Sequence, residues 1–165
     1  MFTSTFSDSG LFHSALGIAA TGAHVYITEM VPNPADPGCQ CVHQFTTDGV
    51  FVRRWGRFGT LPGEFKTPLG VTTDTLGNVY VVDHHNFRLQ KFSRDGDFIA
   101  TWGRRGQEPE EFIDPHDILF DRGDLFVTDF GDHGQVMHFT YRPTAVRQEG
   151  WTPVKQLFRP PPRRR

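Results

Sequence analysis

The stretch Phe45–Gly59, FTTDGVFVRRWGRFG, returns as Phe92–Gly106, FSRDGDFIATWGRRG, with no gap between the two copies. Adding 47 to a residue number takes Phe45 to Phe92 and on to Phe139, Trp55 to Trp102, and Glu64-Phe65 to Glu111-Phe112. A second series runs through LGIAATGAHVYITE (Leu16–Glu29), LGVTTDTLGNVYVVD (Leu69–Asp83) and HDILFDRGDLFVTD (His116–Asp129) with one-residue gaps, so the chain holds three copies. A repeat of roughly 20–50 residues cannot bury its own apolar face and must stack on its neighbours, so the period by itself selects a class of architecture.

The second copy contains four short runs of β type, Gly70–Thr73, Val79–Val82, Arg88–Phe92 and Asp97–Trp102, punctuated by Gly-Asn, His-His-Asn and Asp-Gly. Such runs joined by tight turns predict a four-stranded meander. Meanders that pack face to face around an axis are the blades of a β-propeller, and the expected fold is all-β with three four-stranded blades, a partial or half propeller. Helices are excluded, because no segment sustains a 3.6-residue apolar period and Gly or Pro interrupts nearly every candidate. The expected boundaries are an N-terminal segment at 1–15, blades at 16–63, 64–110 and 111–150, and a Pro/Arg-rich tail at 151–165 expected to be disordered or held by a partner. The third copy loses the Asp-Gly hairpin to Arg142-Pro143, which leaves Thr144–Gln148 as its expected outer strand.

Composition narrows the function. The 165 residues include 16 Phe against 3 Trp and 3 Tyr, as expected when one core position is written three times. No apolar run approaches the roughly 18 residues of a membrane-spanning helix, so no membrane partner is expected. A net charge of −2 excludes a strongly basic nucleic-acid binder on global charge, while leaving local basic patches open. Two cysteines with one residue between them, Cys39 and Cys41, are expected to be thiols and not a structural disulfide. With no signal peptide in the first twenty residues, the expected compartment is the cytoplasm.

The pattern EFxxPxGVxxDxxGNVYVVDxxNxRLQxFxxDGxFxxxWGxxG, Glu64–Gly106, resembles the NHL repeat. The resemblance implies a six-bladed ring, of which three blades are half. Two chains closing a ring head to tail, further blades in a longer protein, or another cap are the alternatives for covering the end faces, so self-association or missing blades is expected. The first copy departs from the pattern by the insertion Met30–Gly38, MVPNPADPG.

Acidic residues recur at Glu29, Asp83 and Asp129. A catalytic group is rarely needed three times, so these are expected to hold turns, with Asn86 and Arg88 as partners of Asp83. Pro115-His116-Asp117 opens the inner strand of the third copy, where the others have Pro68-Leu69-Gly70 and Ala15-Leu16-Gly17. This tripeptide and Leu125–Phe139, including His133, are similar to the peptidyl-hydroxyglycine amidating lyases, which bind zinc through three Pro-His histidines. That resemblance implies His116 as a zinc ligand and Asp117 as acid or base, but Leu16 and Leu69 cannot supply the other two ligands. Cys39-Gln40-Cys41-Val42-His43 offers soft ligands without the further ligands a structural zinc site requires. His84-His85 reads as an exposed turn.

Arg53, Arg54 and Arg57 in the first copy and Arg104 and Arg105 in the second fall near the outer strand and its exit loop. Such a surface could hold RNA, as in some NHL propellers, although Glu64, Glu108, Glu110 and Glu111 are interspersed. The expected function is non-enzymatic, with no cofactor. Blade loops, Met30–Gly38 and His84–Phe87 foremost, would bind a protein or peptide partner. The alternatives are a zinc-dependent amidating-lyase relative and an RNA-binding module.

Overall fold

The computed structural model describes residues 13–31, 39–131, 134–141 and 151–153. Within them the chain forms three four-stranded antiparallel meanders. Blade 1 is β1 (Ala15–Ala20), β2 (His24–Glu29), β3 (Cys41–Thr46) and β4 (Phe51–Trp55). Blade 2 is β5 (Pro68–Thr73), β6 (Val79–Asp83), β7 (Arg88–Phe92) and β8 (Phe98–Trp102). A short parallel pair follows, β9 (Arg104–Arg105) with β10 (Glu111–Phe112), then blade 3: β11 (Pro115–Asp121), β12 (Asp124–Asp129), β13 (Gln135–Tyr141) and β14 (Trp151–Pro153).

The repeated residues explain the repeated geometry. Asp48-Gly49 and Asp95-Gly96 close the outer hairpins, with Gly49 at φ 91° and Gly96 at φ 85°, a region open to glycine at little cost. In every blade the innermost pairing breaks register near the strand start, between Ala15 and Ile18, Pro68 and Val71, and Pro115 and Asp117. A bulge there twists the strand and aims the residues beside it out of the sheet. A 3-10 turn at His84–Asn86 links β6 to β7.

Strand alternation sends one set of side chains from each blade into the gap between blades. Between blades 1 and 2 these are Tyr26, Val42, Phe65, Val71, Val79, Val81 and Phe92. Tyr80, Val82, Leu89, Phe112, Ile118, Leu125, Val127 and Phe139 fill the gap between blades 2 and 3. Phe45, Phe92 and Phe139 are buried alike, at 4%, 0% and 3% exposure, which confirms one core position used three times. Aromatic rings in this position each remove a large apolar area from water, worth about 2–3 kcal/mol apiece.

Two expectations are corrected. The outer strand of blade 3 is Trp151–Pro153, paired with β13, and so part of the expected tail belongs to the blade. Thr144–Gln148 lies outside the described residues. Without a tight Asp-Gly turn, the connection runs longer before the chain returns, and Pro153 is tolerated because β14 is an edge strand. The sulfurs of Cys39 and Cys41 meet as a disulfide, against the expectation of thiols, since residues two apart along extended chain point to the same side.

Candidate functional site

Each second strand ends in a buried carboxylate. Asp83 Oδ1 accepts the Lys66 amide at 2.7 Å, and Oδ2 accepts Asn86 Nδ2 at 2.9 Å, Arg88 Nε at 2.7 Å and Gln90 Nε2 at 3.0 Å. Asp129 accepts the Ile113 and Asp114 amides and the Gln135 side chain. These contacts tie the start of one inner strand to the end of its neighbour, the structural role expected from their recurrence. Burial pushes the Asp83 carboxyl above the usual carboxylate range, opposed by these donors.

At this same end of the blades the candidate site forms. His84 projects from the 3-10 turn of blade 2, and Asp114 and His116 flank Pro115 at the start of β11. Asp114 Oδ1 lies 3.5 Å from His84 Nδ1 and 3.3 Å from His116 Nε2. One ligand atom from each of the three falls within 4.8 Å of the others. His84 Nδ1 donates to the Pro115 carbonyl at 2.9 Å, which leaves the lone pair on Nε2. The His84 ring stands edge-on to His116 at 4.8 Å, and Phe130 stands edge-on to His116 at 4.7 Å. Phe130 is 59% exposed. His85 packs on His84 at 4.3 Å between centroids and meets Thr67 Oγ1 at 2.7 Å. Burial, and then the neighbouring His84, draw His85 below the ordinary histidine value.

The expected sites divide on this geometry. His116 and His84 come together beside Asp114, which blade packing brings over, while the turn is as expected, with His85 exposed and His84 half-buried. Asp117 is not among the three clustered donors, and its exposed carboxyl accepts the Ile118 amide at 2.9 Å. His133 and most of the Met30–Gly38 insertion lie outside the described residues. Asp114 and Phe130 escaped sequence reasoning. The repeat held a signal for Asp114, since Asp114-Pro115-His116 stands where Thr67-Pro68-Leu69 stands and changes two of three residues to metal-ligating types.

The arginines are dispersed. Arg53 and Arg54 lie within the outer strand β4, and Arg57, just beyond it, is equivalent to Arg104, which opens β9 after the outer strand of blade 2. Arg57 pairs with Glu64 at 2.8 Å, Arg104 with Glu111 at 2.6 Å and Arg53 with Asp95 at 3.3 Å. Arg105 lies over the Phe87 ring. These pairings offset the positive charge on which the RNA expectation relied.

The family model for the NHL repeat matches residues 65–92. Among curated proteins none matches. Similar solved structures include a glutaminyl cyclase from Myxococcus xanthus, 14% identical over 75% of this chain and 47% of that one, with a TM-score of 0.51. Another is a protein of Bacteroides fragilis described as exported, 15% identical over 90% of this chain and 52% of that one, with a TM-score of 0.55. The chain thus spans about half the length of these two structures. Fold and repeat together define a partial β-propeller, and its second blade carries an NHL repeat.

Proposed function

We propose that this chain is a partner-binding propeller module that takes a protein or peptide on the blade end carrying His84, His85, Asp114, His116 and Phe130. The observation that carries this reading is the exposed Phe130 ring against His116, beside two imidazoles that converge on one carboxylate. Nothing in the blade packing calls for a phenyl ring left mostly in water, and an aromatic anchor rimmed by polar donors and acceptors is the composition of a binding hot spot. The test is selection from a random peptide library on the immobilised chain, followed by affinity measurement on selected peptides. Binding at this surface predicts a loss of more than about tenfold with His116→Ala or Phe130→Ala. Selected peptides that bind both variants as they bind the parent overturn the assignment.

A second reading is favoured by the three donors. His84, Asp114 and His116 fit zinc in type and number, with three protein ligands and an exposed side left for water or substrate. They do not reproduce the ligand set implied by the lyase resemblance, since Leu16 and Leu69 stand at the other two Pro-His positions. A bound zinc would supply a Lewis acid or an activated water at neutral pH. His84, Asp114 and His116 would hold it, and Phe130 would screen one side from solvent. Metal analysis decides: one zinc per chain that is lost in His116→Ala supports this reading, and a parent chain that retains no metal removes it.

A further inference from the structure

Blade 1 departs from the other two blades at the carboxylate end of its second strand. Glu29 stands opposite Cys41, as Asp83 stands opposite Arg88 and Asp129 opposite Gln135. Two residues further along, His43 takes the place of Gln90. In blade 2, Arg88 and Gln90 clasp the buried carboxylate. In blade 3 a neutral amide and two backbone amides do so. Blade 1 has a cysteine and a histidine in these two positions, and Cys39, just before the strand, adds a second sulfur.

The four donors meet at one point. His43 Nε2 lies 2.6 Å from Glu29 Oε2, 3.2 Å from Cys41 Sγ and 3.5 Å from Cys39 Sγ. One ligand atom from each residue falls within 4.8 Å of all the others. Glu29, Cys41 and His43 are buried to 1% exposure or less, and Cys39 is half-buried, which leaves a way in. The outer contacts are those of a held ligand set. The His13 amide donates to Glu29 Oε1 at 2.6 Å, which leaves Oε2 on His43 Nε2. Gln40 accepts the Thr67 amide at 2.7 Å and donates to the Val31 carbonyl at 3.1 Å, which pins the residue between the cysteines.

We propose that Glu29, Cys39, Cys41 and His43 form a closed zinc site in blade 1, filled when the two cysteines are reduced. Sulfur and imidazole ligands around a tetrahedral zinc stand roughly 3.5 Å apart, given Zn–S of about 2.3 Å and Zn–N of about 2.0–2.1 Å, close to the 3.2 and 3.5 Å that already separate His43 Nε2 from the two sulfurs. Glu29, now hydrogen-bonded to His43, would give up that bond to the metal. Glu29 supplies the fourth ligand missing from Cys39-Gln40-Cys41-Val42-His43 as a linear motif. Zinc suits two thiolates and an imidazole, and its charge would stand where blade 2 places the Arg88 guanidinium. The disulfide closes the site. Exchange with a dithiol opens it: the Cys39–Cys41 bond breaks, the dithiol sulfurs join, and two electrons and two protons pass to the cysteines. Zinc then displaces those two protons. Because the cross-link spans a single intervening residue, it restrains the unfolded chain little, and a stapling role does not account for the histidine and carboxylate gathered around it.

The test uses the full chain, reduced with a dithiol that is then removed under inert gas, and titrated with Co²⁺ as a zinc surrogate. The expected result is a sulfur-to-cobalt charge-transfer band that saturates at one equivalent and is abolished by Zn²⁺. Oxidised chain shows no band. Cys39→Ser, at the half-buried ligand, and Glu29→Gln weaken binding by more than about tenfold, since even outer-shell changes cost that much. The double variant His84→Ala, His116→Ala keeps the band unchanged, which separates this site from the one above. A reduced, folded parent chain that shows no band, with both thiols still reacting with a thiol reagent in excess Zn²⁺, overturns the proposal. So does an unchanged affinity in Cys39→Ser.

Discussion

At the scale of single residues, burial and donor supply decide how each acidic group behaves. Arg88 spans the gap between blades, its Nε on Asp83 and its other nitrogens on the carbonyls of Thr60, Leu61 and Glu64. Removing it leaves a fully buried carboxylate without its paired cation, so Arg88→Ala is expected to cost roughly 3–5 kcal/mol in urea unfolding, well above a surface substitution. Because burial raises Asp83, the folded chain keeps a proton there to higher pH than the unfolded chain does. Stability from this group therefore falls as pH rises between the ordinary carboxylate value and the raised one. Glu64 and Glu111 behave oppositely. Backbone amides first, then Arg57 and Arg104, hold them below the usual glutamate range. Their contribution is complete above the unfolded value and is lost as pH falls through the depressed one. Melting temperatures measured from pH 7 down to pH 3 should show Glu64→Gln, Glu111→Gln below the parent at neutral pH, with the gap narrowing in acid.

At the scale of elements, the inner strands approach so closely that side chains are excluded. A Cβ on Gly17 would lie 2.3 Å from the Leu69 carbonyl oxygen, and one on Gly70 would lie 2.7 Å from Asp117 Cα. Both obstacles are backbone and cannot rotate away. Gly70→Ala should therefore force blades 2 and 3 apart and cost about 1–3 kcal/mol in denaturant unfolding. Gly22→Ala, whose added methyl meets nothing within 4 Å, is the matched control and should fall near zero. This layer of structure was largely legible from sequence, because strands alternate at a fixed period, Asp-Gly turns declare themselves, and a repeat writes each signal more than once. Legibility failed where blade 3 loses its Asp-Gly turn, since pairing of Trp151–Pro153 depends on sheet geometry and not on local residues.

At the scale of the whole molecule, what the sequence conceals is juxtaposition between blades. His84 and His116 are distant along the chain and meet only because blade 3 packs on blade 2; Glu29 and His43 meet through strand pairing across an insertion. Residue types alone pointed to His116 and to the Cys-x-Cys-x-His run, but their partners required the fold. Among the described residues the same packing leaves apolar side chains exposed on the outer sides of blades 1 and 3. On blade 1 Ile18 is 69% exposed, on the side opposite Ala19 and Tyr26, which face blade 2, whereas Val25, Ile27 and Phe45 on that same side are buried to 7% exposure or less. Leu119 is 59% and Val136 39% exposed on the side of blade 3 turned from Ile118 and Val127. The blade 3 face is the kind of surface that elsewhere in this chain is covered by the next blade, and Ile18 is an exposed apolar side chain at the other end. A second copy, placed about a twofold axis, would set blade 3 of each chain on blade 1 of the other. This arrangement predicts a mass in solution that rises with concentration from the 18.8 kDa of one chain toward twice that value, and Leu119→Asp should return it to the single-chain mass without loss of strand signal. A single-chain mass at every concentration, in the parent as in the variant, would show that these faces do not pair with one another.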